Sequence, residues 1–203
     1  SKLLSLIISN YSESMMEAYE RFELLMNQQI VRTPIALASM AGMVDATYAL
    51  ERGGHIGAAF LGGFSIDEET ILASHDLAEA GRKEFFFPDP IEGIRTEIEK
   101  LKGSDIVPGI NLRGSSAASF ELLADELGDS AVYEIDAHCR QMPMIKAGAG
   151  EYLLTHHHDL CDTVRALKKY DVCVSVKIRT GLTDERALAR ALWKAGADII
   201  HVD

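Results

Sequence analysis

From Pro34 onward the chain alternates short apolar runs with longer segments whose apolar positions recur at helical spacing. The short runs are Pro34–Met40, Ile56–Leu61, Ile106–Leu112, Ala131–Ile135, Val172–Ile178 and Asp198–Val202. Each is too short for a typical helix and nearly continuous in apolar character, as expected of a strand covered on both faces. The second run is entered through Gly53-Gly54 and left through Gly62-Gly63. Between the runs lie helix signals. Ser65 and Glu68 have capping-box spacing at the head of a segment that runs towards Gly81. Further helices are predicted over Pro90–Leu101 with a stop at Gly103, over Ser115–Gly128, over Thr155–Tyr170, and from Thr183 to Gly196.

Buried strands joined by helical crossovers predict an α/β fold with a parallel sheet. A doubly wound sheet and a TIM (β/α)8 barrel both fit this alternation. Polar residues and glycines cluster just after each strand, where barrel active sites are built. A complete barrel takes roughly 250 residues, so the pattern predicts an incomplete barrel, its first six strands lying within residues 31–203. Residues 1–30 read as an N-terminal helical extension, with Glu13–Asn27 the helix-forming part.

Composition narrows the function classes. The 203 residues are 47% apolar and 25% charged, ordinary for a globular protein. No apolar run approaches the ~20 residues of a membrane span. Leu3–Ile8 is followed at once by Glu13, Glu17 and Glu20 rather than by a cleavage site, so a cytoplasmic location is expected. Cys139, Cys161 and Cys173 form no CxxC pair, which predicts free thiols. A net charge of −11 argues against a large nucleic-acid footprint.

The densest chemistry lies in Tyr133-Glu-Ile-Asp-Ala-His-Cys-Arg140, followed by Lys146-Ala-Gly-Ala-Gly150 and then by Val174-Ser-Val-Lys-Ile-Arg-Thr-Gly181. A second cluster, His156, His157, His158 and Cys161, offers two helix-spaced ligands, too few for a metal site, and no metal is expected.

The first group resembles the dihydrouridine-synthase family, a divergent member of which would carry these blocks in this order. Leu37-Ala-Ser-Met-Ala-Gly-Met-Val-Asp45 is similar to that family's opening flavin loop, and Ala195-Gly-Ala-Asp-Ile-Ile-His-Val202 to its sixth strand. The resemblance covers Pro34 to Asp203. It implies a TIM-barrel oxidoreductase that uses FMN to reduce the C5–C6 bond of a uracil ring. It also implies tRNA or a small-molecule pyrimidine as substrate and reduced nicotinamide as electron donor. By position it makes Cys139 the catalytic proton donor, a role that suits a thiol that stays protonated near neutrality. Ser39, Met40, Ala41, Gly42, Asn111 and Lys177 would hold the flavin, and Asp136, Arg179 and Asp203 the substrate. Asp136, His138 and Arg140 stand where the family has Asn, Gly and Pro, and Asp203 where it has His. Those departures keep open two other readings, a barrel enzyme for a small pyrimidine and a non-catalytic barrel scaffold.

Overall fold

The computed structural model describes residues 24–203. Most of the helix expected over Glu13–Asn27 lies outside the described residues. Where its end is described the chain is extended: β1 (Leu24–Met26) pairs antiparallel with β2 (Gln29–Val31). Asn27 and Gln28 turn this hairpin with positive φ of 50° and 60°, the type I′ arrangement whose twist matches two paired strands.

The remaining elements alternate as the hydrophobic pattern predicts. They are β3 (Ala36–Leu37), α1 (Ala46–Leu50), β4 (Ala58–Ser65), α2 (Glu68–Glu79), α3 (Pro90–Lys100), β5 (Val107–Arg113), α4 (Ala117–Leu127) and β6 (Val132–Ala137). After these come α5 (Met142–Lys146), α6 (Tyr152–Thr155), α7 (His157–Leu167), β7 (Val174–Ile178), α8 (Glu185–Ala195) and β8 (Ile199–Val202). The six strands β3 to β8 pair in sequence order and all in parallel, forming a curled half-barrel. This selects the barrel over the doubly wound sheet, because no strand crosses to the far side of the first.

Helix limits follow local chemistry. The start of α2 differs from the expected Ser65–Glu68 box: its N-cap is Asp67, which accepts from Thr70 N while the Thr70 hydroxyl faces the Asp67 backbone N–H. Ser65 is instead the last residue of β4, buried and hydrogen-bonded to the Ser74 hydroxyl at 2.7 Å. The α8 helix begins at the Asp184 cap and ends at Gly196, whose φ of 112° closes it in the left-handed region.

Two faces of the sheet bury different things. Leu61, Ile110, Leu112, Tyr133, Ile135, Val174, Val176 and Ile178 pack outward against Ile94, Leu123, Leu160, Val164 and Leu188 of the helices. Each such side chain contributes roughly 1.5–3 kcal/mol when fully buried. The alternate residues face the concave side. Near the strand N-termini these are Ala58, Phe60, Val107 and Val132, joined by Ile199 and Cys173 and closed from below by Val31 and Met26 of the hairpin. Side chains alternate along a strand, so further up the same face come Asn111, Arg113, Glu134, Asp136, Ser175, Lys177, His201 and Asp203. An apolar floor thus carries a polar upper tier. Among the described residues no helix is long and apolar enough to cross a membrane.

Candidate active site at the C-terminal strand ends

Strand register sets the tier. Asn111 pairs with Glu134 and Glu134 with Ser175; one step higher, Asp136 pairs with Lys177 and Lys177 with His201. A carboxylate, an ammonium and an imidazole therefore stand side by side across β6, β7 and β8 on the concave face.

The lower members are bound together. Glu134 is fully buried, accepting from Asn111 Nδ2 at 2.9 Å, Ser175 Oγ at 3.1 Å and His201 Nδ1 at 2.8 Å. Lys177 is 5% exposed, and its Nζ lies 3.5 Å from Ser39 Oγ, across the mouth on the turn after β3. That is beyond ordinary hydrogen-bond distance. No carboxylate comes within salt-bridge distance of Lys177 among the described residues.

Above Lys177 a polar group closes one side of the mouth. His138 Nε2 is 2.5 Å from Asp203 Oδ2, and Arg179 Nη2 is 3.1 Å from the same nitrogen and 3.8 Å from Asp203. Arg179 can only donate, so a hydrogen bond from His138 to Asp203 requires Nε2–H and leaves Arg179 a close ionic neighbour. The charge of His138 holds the Asp203 carboxyl below its usual range, helped by Lys177 and Arg179. Asp136 Oδ1 accepts from the backbone N–H of His138 and of Cys139, both at 2.9 Å, and so shapes the turn after β6.

The residues singled out in the sequence separate in space. Ser39, Asp136, Lys177, Arg179 and Asp203 gather at the mouth. Asn111 faces the interior with its amide turned to Glu134. Met40 accepts from Met43 N and Val44 N in the turn after β3, and it is 42% exposed. Gly42 packs so closely on the Lys83–Glu84 backbone that a Cβ would meet Lys83 C at 2.3 Å. Cys139 packs against the cluster of Ala73, Leu77 and Met144, between α2 and α5. Burial there, and then the nearby Asp136 charge, push its thiol pKa up. The histidine cluster disperses: His156 stacks on Tyr152, His157 Nε2 contacts Leu154 O at 2.6 Å, and His158 pairs with Asp162 at 2.9 Å. All three cysteines are free.

Glu134, Ser175 and His201 were not singled out. Period-two alternation from Asp136, Lys177 and Asp203 would have found them, since each lies two residues below one of these on the same face.

Comparison with known proteins concerns the fold first. No family model matches the chain. An uncharacterised protein of Methanocaldococcus jannaschii is 26% identical over 148 residues, covering 71% of this chain and 57% of that protein. A solved structure of 2,3-dimethylmalate lyase, a member of the PEP mutase/isocitrate lyase superfamily, matches with a TM-score of 0.53 at 14% identity. That match covers 83% of this chain and 58% of the lyase chain, so in both cases the chain spans less than two thirds of its counterpart.

These findings correct the sequence-based expectation of function. The matching barrel is a lyase-superfamily protein and not a flavin-dependent dihydrouridine synthase, so the family resemblance and the oxidoreductase reading built on it are withdrawn. The FMN, tRNA and nicotinamide expectations rested on that resemblance alone. The physical reason is visible in the motif itself. Gly148 and Gly150 have φ of 81° and 62°, and a Cβ on Gly150 would meet Cys139 O at 2.3 Å. The Gly-x-Gly spacing thus meets a steric demand of the turn after β6, whatever the chemistry at the mouth. The likeness establishes the architecture: the chain has the curled parallel sheet of a (β/α) barrel.

Proposed function

We propose that the chain belongs to a lyase-type barrel enzyme that cleaves a carbon–carbon bond in a small carboxylate, at the C-terminal mouth of the half-barrel. The observation that carries this is Lys177, a buried ammonium with no anion in salt-bridge range among the described residues. A buried charge without a partner is costly, and an anionic substrate would supply the partner. Arg179 adds a second cation on the same face, suited to bidentate contact with a carboxylate. The likeness in fold to a 2,3-dimethylmalate lyase supports the substrate class.

For a 2-hydroxy dicarboxylate the step balances without a redox partner. A base removes the hydroxyl proton, the C2–C3 bond breaks, C2 becomes a carbonyl, and the electron pair left on C3 takes up a proton. The products are a 2-oxo acid and a carboxylic acid. Lys177 would hold the carboxylate next to C2, and the low-dielectric floor of Phe60, Val107 and Val132 would strengthen that contact.

The test is proton NMR of the protein incubated with 2,3-dimethylmalate, with 2-methylmalate and with malate. Appearance of the 2-oxo acid and its companion acid in equal amounts supports the proposal. No product from any of the three sinks it.

A further inference from the structure

Resting on the lyase reading, we infer that His201 is the proton acceptor of this site, held by Glu134 as the Nδ1–H tautomer so that Nε2 faces the barrel interior unprotonated. The Glu134 carboxylate is fully buried. Its three partners, Asn111 Nδ2, Ser175 Oγ and His201 Nδ1, come from the neighbouring strand on either side and from the strand beyond. A carboxylate accepts and does not donate. The Asn111 amide nitrogen can only donate, and the arrangement is fully satisfied when the hydroxyl and Nδ1 donate as well. A neutral imidazole with Nδ1–H carries its lone pair on Nε2.

Nε2 has no hydrogen-bond partner among the described residues. The ring is 26% exposed, lies with its centroid 5.9 Å from that of Phe60, and stands beside Lys177 in the strand register. The groups facing it are Glu134 and Asp136 on β6, Lys177 on β7 and Asp203 at the end of its own strand. A carboxylate behind a histidine, with the far nitrogen left free on a part-exposed ring, is how an imidazole is held in one tautomer for proton transfer. The same row places Lys177 where it would hold the substrate carboxylate, one strand from the base. Glu134 is the positioning residue in this pair: it touches His201 and not the substrate.

Diethyl pyrocarbonate acylates an unprotonated imidazole nitrogen; mass spectrometry identifies the modified histidine, and NMR of the 15N-labelled ring tells Nδ1 from Nε2. With the whole protein and malonate as the small dicarboxylate probe, the expected result is carbethoxylation of His201 at Nε2. Malonate should slow it several-fold while leaving His158, whose side chain is 85% exposed, unaffected. Glu134→Gln should spread the adduct over both ring nitrogens, since a side-chain amide can serve either tautomer. His201→Gln should lower kcat by roughly 10²–10⁴-fold with KM little changed. An adduct on Nδ1, an unreactive His201, or equal rates with and without malonate would overturn the inference. So would native turnover in His201→Gln. If the native protein cleaves none of the three malate substrates, the lyase reading fails by itself, and the adduct position with malonate protection still decides the role of His201. Should Glu134→Gln fail to fold, the adduct position in the native protein is sufficient.

Discussion

The guanidinium of Arg113 and the carboxylate of Glu84 meet at 2.6 Å, with side chains only 2% and 1% exposed. Arg113 ends β5 on the concave face, and Glu84 lies in the segment between α2 and α3. The same Nη2 donates to Gly63 O at 2.7 Å and lies 3.3 Å from the Ser74 hydroxyl. One buried ion pair therefore ties a connecting segment, the end of β4 and a helix to the upper rim of the barrel. Among the described residues Arg113 Nε has no hydrogen-bond partner.

Removing one member of this pair strands the other. Glu84→Ala should lower unfolding free energy by about 3–5 kcal/mol, the usual result of leaving a buried charge uncompensated. The double replacement Arg113→Met with Glu84→Leu should cost less than the single change, because no charge is left behind. Urea denaturation of the three proteins checks this, and a double replacement that costs more than Glu84→Ala would show that stranding one charge is not the source of the loss.

Asp67 joins two helices through one carboxylate. Its Oδ1 accepts from Thr70 N at 3.1 Å as the cap of α2, and its Oδ2 accepts from Ser115 N at 2.6 Å and Ser119 Oγ at 2.9 Å at the head of α4. Asp67→Ala is expected to cost about 1–3 kcal/mol, a cap plus the hydrogen bonds it shares. Thermal unfolding measures the loss, and a change within error of zero would mean that water replaces these contacts.

The Cys139 thiol pKa is raised, by burial first and then by the Asp136 charge. Thiolate is the reactive form, so a raised pKa means little reactive form near neutrality. The rate of iodoacetamide alkylation at Cys139, followed by mass spectrometry, should be slow at neutral pH. It should climb with a midpoint above the ordinary thiol value of about 8.5. Asp136→Asn should shift that midpoint down. A midpoint below the ordinary value in the native protein would contradict the burial seen here.

Lys177 separates function from stability. Lys177→Met removes a buried charge that lacks an anionic partner, so stability should stay level or rise by about 1 kcal/mol. Binding of malonate, read by isothermal titration, should weaken by at least tenfold, about 1.4 kcal/mol. Strong destabilisation with unchanged binding would make the lysine structural.

The Asp203 carboxyl is held below its usual range chiefly by His138. Such a contact is present above the unfolded carboxyl value of about 3.9 and is lost as pH falls through the lower folded value. Asp203 is half exposed, so the effect on global stability is small. The readout is local: the His138 ring resonances should change as the contact opens in acid, and Asp203→Asn should abolish that change.

The alternation of apolar runs with helix-spaced segments determined the order of elements, because a strand buried on both faces must be apolar throughout and a covering helix needs a single stripe. That is why β4 to β8 and the longer helices α2, α3, α4, α7 and α8 were legible to within a few residues, while the short α5 and α6 were not. The unusual place of Lys177 was legible too, since a charge within an apolar strand demands a partner, and Arg179 two residues on shares its face. Three things were decided only by tertiary structure. Whether β3 to β8 curl into a half-barrel or lie doubly wound depends on strand order, which local periodicity does not encode. The Ser65–Glu68 spacing satisfied a capping rule, yet Asp67 won the cap because its second oxygen also serves Ser115, 48 residues away. Last, the Glu134–His201 pair spans 67 residues and exists only because β7 carries Ser175 between their strands. A short motif such as Gly148-Ala-Gly150 records the steric needs of the turn after β6 and by itself names no chemistry. Function therefore rests on which side chains the curled sheet brings face to face.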